Sequence, residues 1–167
     1  MTDTAVSAAA AVPAAVPTAG VPTAGVPTAG VPTAGVPAAG VPTDTAAARA
    51  LVQDYLETFW NQGRTDLADR YLAEGLQQHN PNLPDGRAPL AEFVAGLRGQ
   101  LPELRFELRR LAAEGDLAFA HSHFTAAPGD PGRAVVDVFR IADGLIAEHW
   151  DLNEAVPEST ASGRPVV

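Results

Sequence analysis

Asp137, His149 and Asp151 are of the types that cofactor-free acid/base chemistry uses, and they lie within 15 residues of one another. Removing a proton alpha to a carbonyl needs a base, and the resulting enolate oxygen needs a donor that stabilises or protonates it. A carboxylate among apolar side chains has its pKa raised toward working pH, which suits it to that exchange. All three belong to VVDVFRIADGLIAEHWD, Val135 to Asp151, which reads as two strands joined by a tight turn at Asp143-Gly144. Strand side chains alternate between faces. Val135, Asp137, Phe139 and Ile141 therefore share one face of the first arm. His149 and Asp151 share a face of the second, opposite Ile146, Glu148, Trp150 and Leu152. Either acid is a candidate base. The structural alternative is an ion pair between one of them and an arginine such as Arg140 or Arg87.

The other histidines stand as candidate donors, proton relays or orienters of an acid. His79 precedes Asn80-Pro81, His121 and His123 share one strand face, and each has the competing role of a hydrogen-bonded structural residue. His121-x-His123 invites a metal reading, since alternate strand residues can reach one ion. Thr125, Ala126 and Ala127 follow without a further ligand, so no metal is expected. Asn80 offers an amide donor, or a turn former before Pro81. Trp60 and Trp150 read as core or pocket wall.

The elements that must position these residues follow from periodicity. Asp44 is a good N-cap, and Leu51, Val52, Tyr55, Leu56, Phe59 and Trp60 recur at helical spacing before Gly63. A short second helix from Thr65-Asp66 carries Leu67, Tyr71 and Leu72, and polar, turn-forming residues fill Gln77 to Arg87. A third helix over about Pro89 to Leu101 presents Leu90, Phe93, Val94 and Leu97. The pattern then switches to period two, with strands at Arg105–Ala112 and Leu117–Thr125 ahead of the hairpin. Helices first and an antiparallel meander after them predict an α+β domain with helices on one side of a curved sheet.

Residues 1–43 are different. VPTAG repeats from Val16, and proline and glycine in every unit exclude a sustained helix. No aromatic side chain is present to offset ordering entropy, so a disordered arm is expected. The expected division is the arm at 1–43, a domain at 44–157 and a flexible tail at 158–167. The acidic, proline-broken start lacks the pattern of a signal peptide, and a cytoplasmic location is expected.

Composition narrows the chemistry. The net charge of −9 argues against a nucleic-acid partner, and no apolar run approaches the ~20 residues that span a bilayer. There is no cysteine and no lysine, since all 11 basic residues are arginine. Thiolate catalysis, lysine Schiff bases and a lysine-bearing phosphate loop are thereby excluded.

QHNP (Gln78 to Pro81), AEGDLAFAH (Ala113 to His121), VVDVFRIADG (Val135 to Gly144) and EHWD (Glu148 to Asp151) together resemble the SnoaL-like branch of the NTF2-like superfamily. The resemblance covers about residues 46–157. It implies a cone of three helices on a strongly bent antiparallel sheet, commonly a homodimer. It also implies a pocket for a hydrophobic small molecule and, in the cyclases, intramolecular aldol condensation without metal or cofactor. On this reading Asp137 or Asp151 is the base, with His121, His123, His149 and His79 as donors or orienters, in aldol-type cyclisation or enol isomerisation. An epoxide hydrolase on the same cone, and a non-catalytic ligand-binding or dimerisation module, are the alternatives.

Overall fold

The computed structural model describes residues 44–167; the repeat arm lies outside the described residues. Asp44 caps the first helix, its Oδ1 accepting from the Ala46 amide at 2.9 Å. This helix, α1 (Thr45–Asp54), runs on as a wider π turn over Tyr55–Asn61. Gly63 ends it at φ 69°, and Arg98 packs on the bare glycine face while donating to the Trp60, Pro102 and Leu104 carbonyls. A 3-10 turn at Thr65–Leu67 leads into the short α2 (Ala68–Tyr71), and α3 covers Arg87–Gln100.

Five strands follow the order β1 (Leu72–Gln78), β5 (Leu145–Ala155), β4 (Arg133–Ala142), β3 (Leu117–Thr125), β2 (Arg105–Glu114). The four strands expected from the sequence form the antiparallel meander. The β4–β5 turn is the expected one, with Asp143 and Gly144 both at positive φ (51° and 77°). The sequence reading left out β1, which adds to β5 in parallel and makes the sheet mixed. Its LAEGLQQ carries only Leu72 and Leu76 as apolar anchors around a glycine. The ladder to β5, rather than local pattern, makes it a strand.

The helices cover one face of the sheet. Tyr55, Phe59, Tyr71 and Phe139 interlock there, with ring centroids 5.2–6.4 Å apart, over buried Leu72, Leu76, Leu90, Ile141 and Ile146. Bulges bend the sheet in β2 between Leu108 and Arg110 and in β5 around Ala147. The second corrects the parity expected above. Ile141 faces Ile146 and Arg140 faces Glu148, so Ala147 is the extra residue and Ile146 joins the core face with His149. Among the described residues no helix is long and apolar enough to cross a membrane.

Candidate functional site

Register places Asp137 of β4 directly opposite Asp151 of β5, and Phe139 opposite His149. Two carboxylates thus share the helix-covered face at the separation of a cross-strand pair, ~4.5–5.5 Å between Cβ atoms. Asp137 is buried, and its Oδ1 lies 3.1 Å from His149 Nε2. Its Oδ2 is buried with no hydrogen-bond partner among the described residues. Burial pushes the Asp137 carboxyl up; the hydrogen bond and charge of His149 oppose this, and the Asp151 charge adds to it.

His149 is held from behind and below. Its Nδ1 lies 3.0 Å from Gln78 Oε1, and its ring stacks on Phe139 at 5.1 Å. A carbonyl acceptor puts a proton on Nδ1. Nε2 then either accepts a proton from neutral Asp137 or, as part of an imidazolium, donates to the Asp137 carboxylate. Both arrangements hold the same number of protons, so the pair can redistribute charge without exchanging a proton with solvent.

Asp151 is more open. Its Oδ1 accepts from Asn80 Nδ2 at 2.8 Å and its Oδ2 from Asn153 Nδ2 at 3.4 Å. Neither acid makes the ion pair weighed from sequence. Arg140 binds Asp116 at 2.6 Å and Glu148 at 2.8 Å, and Arg87 donates to the Leu72 carbonyl.

The candidate residues divide between the two faces of the sheet. Asp137, Asp151 and His149 come together; His79, His121 and His123 do not join them. Ala120 is the β3 residue opposite Asp137, so the flanking odd-numbered positions point to the other side. There His121 Nδ1 accepts from Arg110 at 2.8 Å, and His123 donates to the Pro131 carbonyl at 2.8 Å. His79 donates to Glu148 Oε1 at 2.8 Å and stacks on Trp150 at 4.6 Å, 5° from parallel. Burial raises the Glu148 carboxyl, and the hydrogen bonds from Arg140 and His79 outweigh that and hold it below the usual carboxylate range. Among the described residues no three His, Asp or Glu side chains converge as metal ligands.

Three neighbours of the Asp137 group are not among the sequence-derived site residues. Gln78 falls in the QHNP motif and the polar stretch from Gln77, with no role assigned by residue type, yet it orients His149. Ser122 sits between two histidines that drew attention. Its own Oγ is fully buried without a partner among the described residues, two residues along the strand from Ala120, which faces Asp137. Tyr55 is a core residue; burial raises its hydroxyl, a hydrogen bond with Trp60 opposes this, and the Asp137 charge adds to it. The available signal was parity: once β3 and β4 are paired, Ser122 falls on the Asp137 side. An open groove of about 570 Å³ between α1 and the start of β2 is lined by Gln53, Glu57, Arg105 and Glu107, among others, and by none of the Asp137 group.

Residues 52–149 match the family profile described as the SnoaL-like domain. No curated protein matches the chain. Among solved structures, TsrD of Streptomyces laurentii is 26% identical with a TM-score of 0.57, covering 67% of this chain and 91% of its own. A Kribbella flavida protein provisionally named a ketosteroid isomerase is also 26% identical, TM-score 0.58, covering 71% of this chain and 85% of its own. An LEH-like epoxide hydrolase of M. tuberculosis is 21% identical, TM-score 0.54, covering 67% and 86%; this likeness is one of fold.

Proposed function

The chain belongs to the SnoaL-like domain family, and from that premise we propose that it is a cofactor-independent acid/base enzyme acting on a hydrophobic carbonyl compound. The reaction class is enolisation followed by aldol-type cyclisation or by reprotonation at another carbon. One observation carries the reading. Asp137 is buried, bonded to His149 through one oxygen, and offers the other oxygen without a partner.

In this mechanism the Asp137 carboxylate takes the alpha proton on Oδ2, and the electron pair of the C–H bond moves into the enolate. The neighbouring imidazolium of His149 balances the enolate charge, and Gln78 keeps its Nδ1 proton in place. The Asp137 acid then returns the proton, either to a second carbon or to the alkoxide formed on ring closure. A carboxyl with a raised pKa is a stronger base for the first step than an ordinary one. Asp151, opposite, opposes a second negative charge at Asp137 and so supports the protonated state after transfer.

The facing carboxylates also suit a second reading, epoxide hydrolysis, in which one of them activates a water. The outer face of the sheet supports a homodimer. Phe119, Val136 and Leu152 are exposed there, with Arg110 and Glu154 on the flanks.

The test is carboxylate titration by NMR on wild type, Asp137→Asn and Asp151→Asn. A resonance titrating well above the ordinary carboxylate range, and lost only in Asp137→Asn, identifies the base. A panel of enolisable ketones beside epoxides then separates the two reactions. If every carboxylate titrates in the ordinary range, the acid/base reading fails and the domain is a binding module.

A further inference from the structure

We infer that His79, on the opposite face of the sheet from Asp137, is a positioning residue for the acid/base pair, acting through its neighbours Gln78 and Asn80. The inference rests on the acid/base reading given above.

The segment Gln78-His79-Asn80 runs alongside β5, and its three side chains alternate across the sheet. Gln78 reaches His149 at 3.0 Å and Asn80 reaches Asp151 at 2.8 Å on one side. His79 reaches Glu148 at 2.8 Å on the other. Alternate residues of the segment therefore hold both an acid and the histidine of the site, while the one between them grips the far face.

Backbone pairing alone fixes this segment poorly. The parallel ladder joins Leu72 to Ile146, then slips, and resumes only at Gln77 and Gln78. One further main-chain bond, His79 N to the His149 carbonyl at 2.9 Å, closes it. Asp85 Oδ1 accepts from the Gln78 amide at 2.8 Å, and Asn80 is held in a turn by the Asn82 and Leu83 amides; the His79 side chain supplies the anchorage to the far face of the sheet. Its imidazole donates to Glu148 and lies flat on Trp150. Glu148 is fixed by Arg140, which also bridges to Asp116 and lies over the Trp150 ring at 5.8 Å. The clamp thus ties the segment to β4, β5 and the β2–β3 turn. A displacement of about 1 Å in a supporting group can cost on the order of a hundredfold in rate, so the bond from Gln78 to His149 depends on where His79 sits.

The experiment uses the full chain labelled with ¹⁵N-histidine. The His149 ring nitrogens report their hydrogen bonding without any substrate. His79→Ala is expected to move the His149 Nδ1 resonance toward its free value, and His79→Gln, whose amide can donate to Glu148, to restore it. His79→Phe keeps the stack on Trp150 and removes the donor; it guards against a fold lost in the alanine variant and is expected to move the same resonance. An unchanged His149 Nδ1 in folded His79→Ala or His79→Phe overturns the inference. The Asp137 titration in wild type is read separately. An ordinary Asp137 carboxyl defeats the acid/base reading, whereas a raised one with an indifferent His149 defeats only the role of His79.

Discussion

Asp137 is a carboxyl that folding places where its charged form is disfavoured, and that has a consequence for stability that needs no substrate. Burial raises its folded-state pKa above the unfolded value, so the folded chain keeps the proton to higher pH. Its contribution to stability is full below the unfolded value, about 3.9, and is lost as pH rises through the folded one. Each unit of upward shift corresponds to about 1.4 kcal/mol. Asp137→Asn remains neutral throughout, so its melting temperature should exceed that of wild type at pH 8, with the gap closing toward pH 4. Thermal melts of the two proteins across that range check this. A gap that widens as pH falls would mean a stabilising ionised carboxylate and would remove the basis for the proposed base. At this scale residue types mark the acids, while they do not fix which histidines share a face with them. Asp137 among Val135 and Phe139 announces a buried carboxyl. The positions of His121 and His123 depend on a cross-strand register that residue types do not encode.

Elements decide which side chains meet, and here one extra residue does much of that work. Strict alternation along β5 puts Ile146 and His149 on opposite faces, whereas the bulge at Ala147 puts both on the core face. The helices, the meander and the Asp143-Gly144 turn could be read from period, caps and turn chemistry, because those signals are local. The bulge and β1 could not, since each exists through pairing with a distant strand. Deleting Ala147 removes the extra residue and leaves Ile146, Glu148 and His149 in strict alternation, so the pairs Ile141–Ile146, Arg140–Glu148 and Phe139–His149 can all be kept. The deletion is therefore expected to leave the Asp137 carboxyl raised and the urea midpoint near that of wild type. Expulsion of Ile146 would instead lower stability by about 1.5–3 kcal/mol. A deletion variant whose Asp137 titrates in the ordinary range would show that the bend at the bulge, beyond the pairing, places the carboxyl–imidazole bond.

Considered as a whole, the domain spends its two sheet faces differently. The face under the helices carries the core and the Asp137–His149 pair. The outer face carries histidines in local hydrogen bonds, the His79–Glu148 clamp and an apolar stripe. In the stripe, Val136 faces Leu152 and Phe119 faces Val138, which in turn faces Trp150. Leu152 is 77% exposed, at the end of the cross-strand row it shares with Val136 and His121. A two-fold contact would bury that row against its own copy, since an isologous interface needs only one self-complementary patch. Such a contact would also stiffen β5, the strand that bears Glu148, His149 and Asp151, so assembly and site geometry are expected to be linked. Sedimentation should show a dimer for wild type and a monomer for Leu152→Glu, because burying that carboxylate at the centre of an apolar contact costs several kcal/mol. The same substitution should leave the monomer folded, as the side chain is outside the core. A wild-type chain that sediments as a monomer at all accessible concentrations would remove the dimer from the reading, while the helix-covered site would stand or fall on the Asp137 titration.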